Sequence, residues 1–193
     1  MVAPTIGVLA LQGAFAAHAA ILEALGATTV EVRTAEQLAK VDALVIPGGE
    51  STTMSMLLER SGMLEPLRAR VADGLPTFGT CAGMILMSAE ISDGRDDQHA
   101  LGVVDISVAR NGYGRQIESF ESELDIEGFD VPFHAVFIRA PLVQRAGPDV
   151  EVLATVDGDP VLCRQGNVLV SAFHPELSDD DRIHRQWLES FPV

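Results

Sequence analysis

The sequence predicts an α/β protein: three layers, α/β/α, around a mostly parallel sheet that carries additional antiparallel strands. Three observations predict it. In the first half, short apolar runs alternate with stretches at helical spacing, as in parallel strands joined by helices. In the second half, helical spacing gives way to strand-like runs separated by turn residues. Hydrophobic residues make up 47% of the 193, enough for a proper core, and the length suits a single domain over 1–193.

Taken in order, residues 5–11 are an apolar run that reads as a central parallel strand. Residues 15–25 place apolar side chains at helical spacing, and Gly26 is the expected C-cap. A second strand at 29–33, a short helix at 36–41 and a third strand at 43–46 follow, the last closed by Pro47-Gly48-Gly49. Helices are expected at 51–61 and 64–72, with Gly62 and Pro66 marking the break. A strand at 75–78 then runs into a helix at 84–88. Beyond it, strands are expected at 103–109, 122–126, 132–138, 150–156, 160–164 and 168–173. Asp157-Gly158-Asp159 and Gln165-Gly166-Asn167 are hairpin-type turns. An amphipathic helix at 179–191, with acidic residues in its first turn, closes the chain.

Composition narrows the partners. Net charge is -15, from 13 Lys+Arg against 28 Asp+Glu, and no basic stripe interrupts it, which argues against nucleic acid. No apolar run approaches the ~18 residues that cross a bilayer. The first residues enter a strand pattern directly, with no basic segment or small-residue cleavage site, so the expected home is the cytoplasm. In that reducing compartment a Cys81–Cys163 disulfide is not expected, and Cys163, inside a strand-like run, reads as an inert buried thiol. His18, His99, His134 and His184 have no metal-type spacing, so neither metal nor cofactor is expected.

Cys81 is the chemical centre. It stands in Gly79-Thr80-Cys81-Ala82-Gly83, at a strand-to-helix turn, the elbow geometry of hydrolase nucleophiles. The glycines answer to crowding, because a Cβ on either flank would block so tight a turn. The helix beyond aims free N–H groups and its positive dipole end at the sulfur, which favours a thiolate. Far downstream, His174-Pro175-Glu176 offers an imidazole and a carboxylate two residues apart. Gly48-Gly49-Glu50-Ser51, the elbow and His174-Pro175-Glu176 all follow predicted strands, where sites in open α/β sheets collect. That predicts one site: Cys81 as nucleophile, His174 as base and then acid, and Glu176 orienting the imidazole. N–H groups of Gly48, Gly49 and Ala82 are candidates for an oxyanion hole. Gly48-Gly49 also fits a plain turn or a phosphate turn, though no Lys follows as in a P-loop. Ser51 also fits a helix N-cap.

Together these segments resemble the class I glutamine amidotransferases and, more narrowly, the glutaminase subunits of pyridoxal 5'-phosphate synthase. The resemblance rests on Gly7-Val8-Leu9-Ala10-Leu11-Gln12-Gly13, on Pro47-Gly48-Gly49-Glu50-Ser51-Thr52-Thr53, on the elbow, on Arg110-Asn111-Gly112-Tyr113-Gly114-Arg115-Gln116 and on Phe173-His174-Pro175-Glu176-Leu177. The second and fourth segments are the narrower ones. The resemblance implies hydrolysis of L-glutamine to glutamate and ammonia through a thioester on Cys81. It implies glutamine binding by Gly49, Glu50, Ser51, Arg110, Ile138 and Arg139. A guanidinium from Arg110 or Arg139 suits the α-carboxylate on chemical grounds as well. It further implies that Gln12 couples the oxyanion turn to docking. The implied partner is a separate (β/α)8-barrel synthase subunit, which receives the ammonia. The chain departs from the family pattern at Ala14-Phe15-Ala16-Ala17-His18, which is more apolar, and at Tyr113, where phenylalanine is common.

Overall fold

A computed structural model describes residues 3–110, 112 and 119–191. Its elements in order are β1 (Thr5–Leu9), α1 (Phe15–Ala24), β2 (Thr28–Val32), α2 (Ala35–Leu38), β3 (Ala43–Ile46), α3 (Ser51–Arg60), α4 (Leu64–Ala72), β4 (Thr77–Thr80), α5 (Ala82–Met87) and β5 (Ser88–Ile91). There follow β6 (Val104–Ala109), β7 (Ser119–Leu124), β8 (Phe133–Ile138), β9 (Leu142–Ala146), β10 (Glu151–Val156), β11 (Asp159–Gln165), β12 (Val168–Ser171), a 3-10 turn (Pro175–Leu177) and α6 (Arg182–Glu189).

The main sheet has seven strands in the order β10-β11-β12-β4-β3-β1-β2. Its five strands from β12 to β2 are parallel, and β11 and β10 add antiparallel pairing at one edge. The interior strands β3, β4 and β12 are buried along their whole length, as expected of strands covered on both faces. The chain steps from β1 to β2 in one direction and then from β2 through β3 to β4 in the other. Right-handed crossovers therefore put α1 on one face and α2, α3 and α4 on the opposite face. α6 returns to pack on α1, and the ring of Phe78 on β4 meets His184 and Trp187 of α6. Two smaller sheets, β5-β6-β9 and the antiparallel pair β7-β8, are built from residues 88–146.

Most expected elements stand where the spacing puts them, with instructive differences. β5 and β9 have no counterpart in the sequence reading, and the helix expected at 84–88 is α5, which starts at Ala82 and stops before Ser88. Pro66 does not mark the break. It lies in the first turn of α4, where a missing N–H has no intrahelical partner to lose, and Gly62, with φ +70°, makes the break alone. The closing helix begins at Arg182, so Asp179, Asp180 and Asp181 precede it instead of filling its first turn. Asp180 is bound instead to the Arg182 guanidinium and backbone N–H. Asn111 and residues 113–118, which include the core of one narrow motif, lie outside the described residues.

Candidate active site

The parallel strands deliver their carboxyl ends to one edge of the sheet. β4 ends at Thr80, one residue before Cys81, and pairs in register with β12, where Ser171 faces Thr80. The Cys81 N–H donates to the Ser171 carbonyl at 2.8 Å, which pins the elbow to the strand that leads to His174. On the other side of β4, β3 leads into Gly48-Gly49, and β1 next to it leads to Gln12. Sequence-distant segments meet here because neighbouring parallel strands end together.

Cys81 holds φ +50° and ψ -102°, a conformation that costs a non-glycine residue of order 1–3 kcal/mol. Its neighbours make room for the bend. A Cβ on Gly83 would strike the Ile46 carbonyl, and one on Gly79 would strike Met87 and the Gly83 backbone. Among the described residues the other non-glycine positions with positive φ are Arg139 and Asp157. Asp157 turns the β10–β11 hairpin, whereas Arg139 follows β8 directly into the cleft beside Cys81.

That cleft, about 450 Å³, is lined by Gln12, Gly49, Glu50, Ser51, Cys81, Ile85, Arg110, Ile138, Arg139 and His174. Its size is within the usual range for small-molecule sites. A smaller cleft of about 130 Å³ beside Trp187 and Phe191 has Arg164 as its charged lining residue and neither cysteine nor histidine.

His174 Nδ1 and Glu176 Oε1 lie 2.8 Å apart, with both residues buried. The backbone N–H of His174 donates to the Val136 carbonyl at 2.8 Å, which fixes the residue against β8. With Nδ1 committed to Glu176, Nε2 is the nitrogen left for Cys81, which lines the same cleft as His174. Burial alone pulls the His174 pKa down. Hydrogen bonds to Cys81 and Glu176 outweigh it and raise the imidazole to about 10. Burial likewise pushes Glu176 up, but the bond to His174 and the nearby imidazoles win and hold its carboxyl below the ordinary range. A charged imidazole between a sulfur and a carboxylate is thus the stable arrangement. The Cys81 thiol also lies 3.9 Å from the Ile138 carbonyl. Cys163, by contrast, is fully buried, and burial pushes its thiol to about 12; both cysteines are free.

The remaining expected residues divide. Gly49, Glu50, Ser51, Arg110, Ile138 and Arg139 all reach the cleft, as does Gln12, whose Oε1 accepts the Glu50 N–H at 2.9 Å. Gly48 and Ala82 stand just behind the lining. Gly48 is pressed between the His174 ring and the Cys81 Cβ, and Ala82 is the buried first residue of α5. Ser51 is not the N-cap of α3. Glu50 is, its carboxylate accepting Thr52 N–H at 3.1 Å and Thr53 N–H at 2.7 Å. Ser51 is thereby left, buried, to accept from Gln98 Nε2 at 3.0 Å. Gln98 is the contact the sequence did not reveal. Its Oε1 also accepts from the Arg110 guanidinium at 3.1 Å, so one side chain from a polar loop joins two cleft residues. Arg110 further donates to Thr52 Oγ1 at 2.8 Å and lies 3.7 Å from Asp93.

Comparison with known proteins places the whole chain. Residues 8–192 match the model of the SNO glutamine amidotransferase family. A protein of Mycolicibacterium vanbaalenii named pyridoxal 5'-phosphate synthase subunit PdxT is 56% identical, over 98% of this chain and 99% of its own length. The protein of that name from Frankia alni is also 56% identical, over 98% and 96%. A solved structure described as a glutamine amidotransferase superposes with a TM-score of 0.90 at 51% identity, covering 95% of this chain and 97% of its own. With a cysteine elbow on a parallel sheet and a match over nearly its whole length, the chain belongs to the SNO glutamine amidotransferase family.

Proposed function

We propose that this chain, as one glutaminase domain over 1–193, hydrolyses L-glutamine to L-glutamate and ammonia. The ammonia goes to a (β/α)8-barrel synthase subunit that builds pyridoxal 5'-phosphate. The observation that carries the reading is that Cys81 and His174 line one cleft and the His174 ring is bonded to the buried Glu176, in a chain 56% identical to a protein named as a subunit of that synthase.

The chemistry follows from the geometry. Glutamine enters with its side-chain amide toward Cys81 and its α-carboxylate toward Arg110 or Arg139, whose guanidinium groups suit a carboxylate. Gly49, Glu50, Ser51 and Ile138 form the remaining walls. The Glu50 carboxylate is committed to the α3 amides, so its backbone is the part that faces substrate. The sulfur attacks the amide carbon, with the proton held by His174. The negative oxygen is met by N–H groups of Gly48, Gly49 and Ala82, each worth roughly 3 kcal/mol of barrier. His174 returns the proton to the nitrogen, the C–N bond breaks and ammonia leaves a thioester. Water then loses a proton to His174 and attacks the thioester carbon, which frees glutamate and restores the thiol. Glu176 keeps the imidazole aligned throughout. Gln12, tied to Glu50, links the glycine turn to the face that docks the barrel. No cofactor, nucleic acid or membrane is required, and the cytoplasm, where glutamine and reduced thiols coexist, is the expected compartment. No helix among the described residues is long and apolar enough to cross a membrane.

The test mixes the chain with its barrel partner and measures ammonia and glutamate. Cys81→Ala is expected to lower the rate by about a thousandfold or more, as removal of a nucleophile does elsewhere. A glutamine-analogue electrophile should label Cys81 and spare Cys163 by mass spectrometry. Full turnover in Cys81→Ala would overturn the reading.

A further inference from the structure

Behind Glu176 runs a line of buried polar groups that the reaction above does not use. His18 from α1 and His184 from α6 are both fully buried. His18 Nδ1 lies 2.9 Å from His184 Nε2. His18 Nε2 lies 3.2 Å from Thr80 Oγ1, directly before Cys81, and 3.3 Å from Glu176 Oε2. That second carboxylate oxygen is off the direction a full hydrogen bond needs and has no other partner among the described residues. A buried carboxylate oxygen without a donor nearby is costly, so the approach of His18 is its main compensation.

The proton positions can be argued. Burial pulls His18 down to about 4 and His184 to about 3, so both rings are neutral near pH 7 and each carries one N–H. Suppose His18 donates through Nδ1. His184 then carries its proton on Nδ1, a buried atom with no partner, and the bare Nε2 of His18 faces a carboxylate. Suppose instead that His184 donates through Nε2. His18 then carries its proton on Nε2, toward Thr80 and Glu176, and only a lone pair on His184 Nδ1 is left over. The second arrangement avoids both a stranded donor and a lone pair against negative charge.

We propose that His18, oriented by His184, is a positioning residue for glutamine hydrolysis: its Nε2–H, bonded to Thr80 Oγ1 and 3.3 Å from the second oxygen of Glu176, attracts that oxygen electrostatically, so that the first stays turned toward His174. The proposal rests on the triad roles given above. It makes α1 and α6, which carry no cleft-lining residue except through this line, part of the machinery that aligns the imidazole.

Two measurements test it. Histidine-selective 15N spectra of the full chain at neutral pH, assigned with His18→Gln and His184→Gln, should show both rings as Nε2–H tautomers. An Nδ1–H tautomer or an imidazolium at His18 would overturn the proposal, whether or not any variant folds. In the complex with the barrel, His18→Leu should lower kcat about tenfold or more with KM within about twofold, as loss of the polar group closest to a buried carboxylate oxygen predicts. His18→Gln, whose amide N–H can reach the same oxygen, should keep most of the rate. Full kcat in a folded His18→Leu, or equal damage in both variants, would also overturn it. Full turnover in Cys81→Ala would sink the triad reading and leave the tautomer result standing, so the two failures are distinguishable.

Discussion

Glycine at position 48 shows how little space the candidate site leaves. A Cβ built there falls against the His174 ring and 3.4 Å from the Cys81 Cβ. Alanine at this position must push the imidazole away from the sulfur, while the surrounding strands, which do not touch it, keep their packing. We expect Gly48→Ala to fold normally and to lose about a hundredfold in kcat, since displacements near 1 Å cost that much in a positioned reaction. Steady-state kinetics beside a thermal melt checks this, and a fully active Gly48→Ala would mean that the ring has more freedom than the contacts allow. Gln98 presents the opposite situation, a side chain with three partners, one of them Thr52, whose hydroxyl donates to its Oε1 at 3.4 Å. It bonds Ser51 Oγ and the Arg110 guanidinium, both proposed to face glutamine. Gln98→Ala removes the bridge without touching Cys81 or His174. The expected outcome is a KM for glutamine raised about tenfold with kcat little changed, the signature of lost ground-state positioning. A fall in kcat at constant KM would instead assign Gln98 to the chemical step.

At the scale of elements, local signals decide the ends and burial decides the middles. α2 is a single turn, too short to persist by propensity, and Thr34 holds it. The Thr34 hydroxyl accepts the Gln37 N–H at 3.3 Å, and Gln37 Oε1 accepts the Thr34 N–H at 3.1 Å, a capping box. Thr34→Ala should cost about 1 kcal/mol, or roughly 2–4 °C in melting temperature for a chain of this size. An unchanged melt would show that packing of Leu38 alone secures the turn. The same division explains what could be read beforehand. The fully buried run at 43–46 carries an unmixed apolar signal, and the glycines around Cys81 mark a bend that only backbone crowding explains; the elbow strand, Thr77–Thr80, is as buried but mixes threonine and glycine with Phe78 and stands two residues beyond the expected 75–78. β5 and β9 escaped because Ser88-Ala89-Glu90-Ile91 and Leu142-Val143-Gln144-Arg145-Ala146 mix polar and apolar residues without strict alternation; their strand state comes from pairing with β6. Gln98 escaped for a related reason. A glutamine in a polar loop has no periodicity and no motif, and its bonds to Ser51, Thr52 and Arg110 exist only once the loop lies over α3. His18 and His184 were visible as residues, but a sequence separation of 166 conceals a 2.9 Å contact that only the packing of α1 on α6 creates.

For the whole molecule, two effects set opposite slopes of stability against pH on the acid side. At neutral pH the chain carries a net charge of -15, and lowering the pH toward its pI of about 4.5 relieves self-repulsion, which favours the folded state. Against this stand His18 and His184, whose burial lowers their pKa values to about 4 and about 3. A depressed pKa means that the unfolded chain binds the proton first. The contribution is complete above about 6.5 and is lost as the pH falls toward the folded values. Each histidine then costs about 1.4 kcal/mol per pH unit. His174, raised to about 10, stays protonated in the folded chain, while the unfolded chain completes its protonation just below pH 6.5, which opposes the trend by only roughly 0.4 kcal/mol. Exposed carboxylates titrate mainly near pH 4, and at 0.1 M salt their mutual repulsion is screened over about 10 Å. Between pH 6.5 and 5 the buried histidines therefore dominate. Urea unfolding across this interval should show stability falling by more than about 2 kcal/mol, with a limiting slope near two protons taken up on unfolding. Removing one of the pair, as in a folded His184→Gln chain, should roughly halve that slope. Stability that stays level or rises from pH 6.5 to 5 would mean that the two rings are not held neutral in the interior. The line of groups behind Glu176 would then have to be drawn with a charge in it.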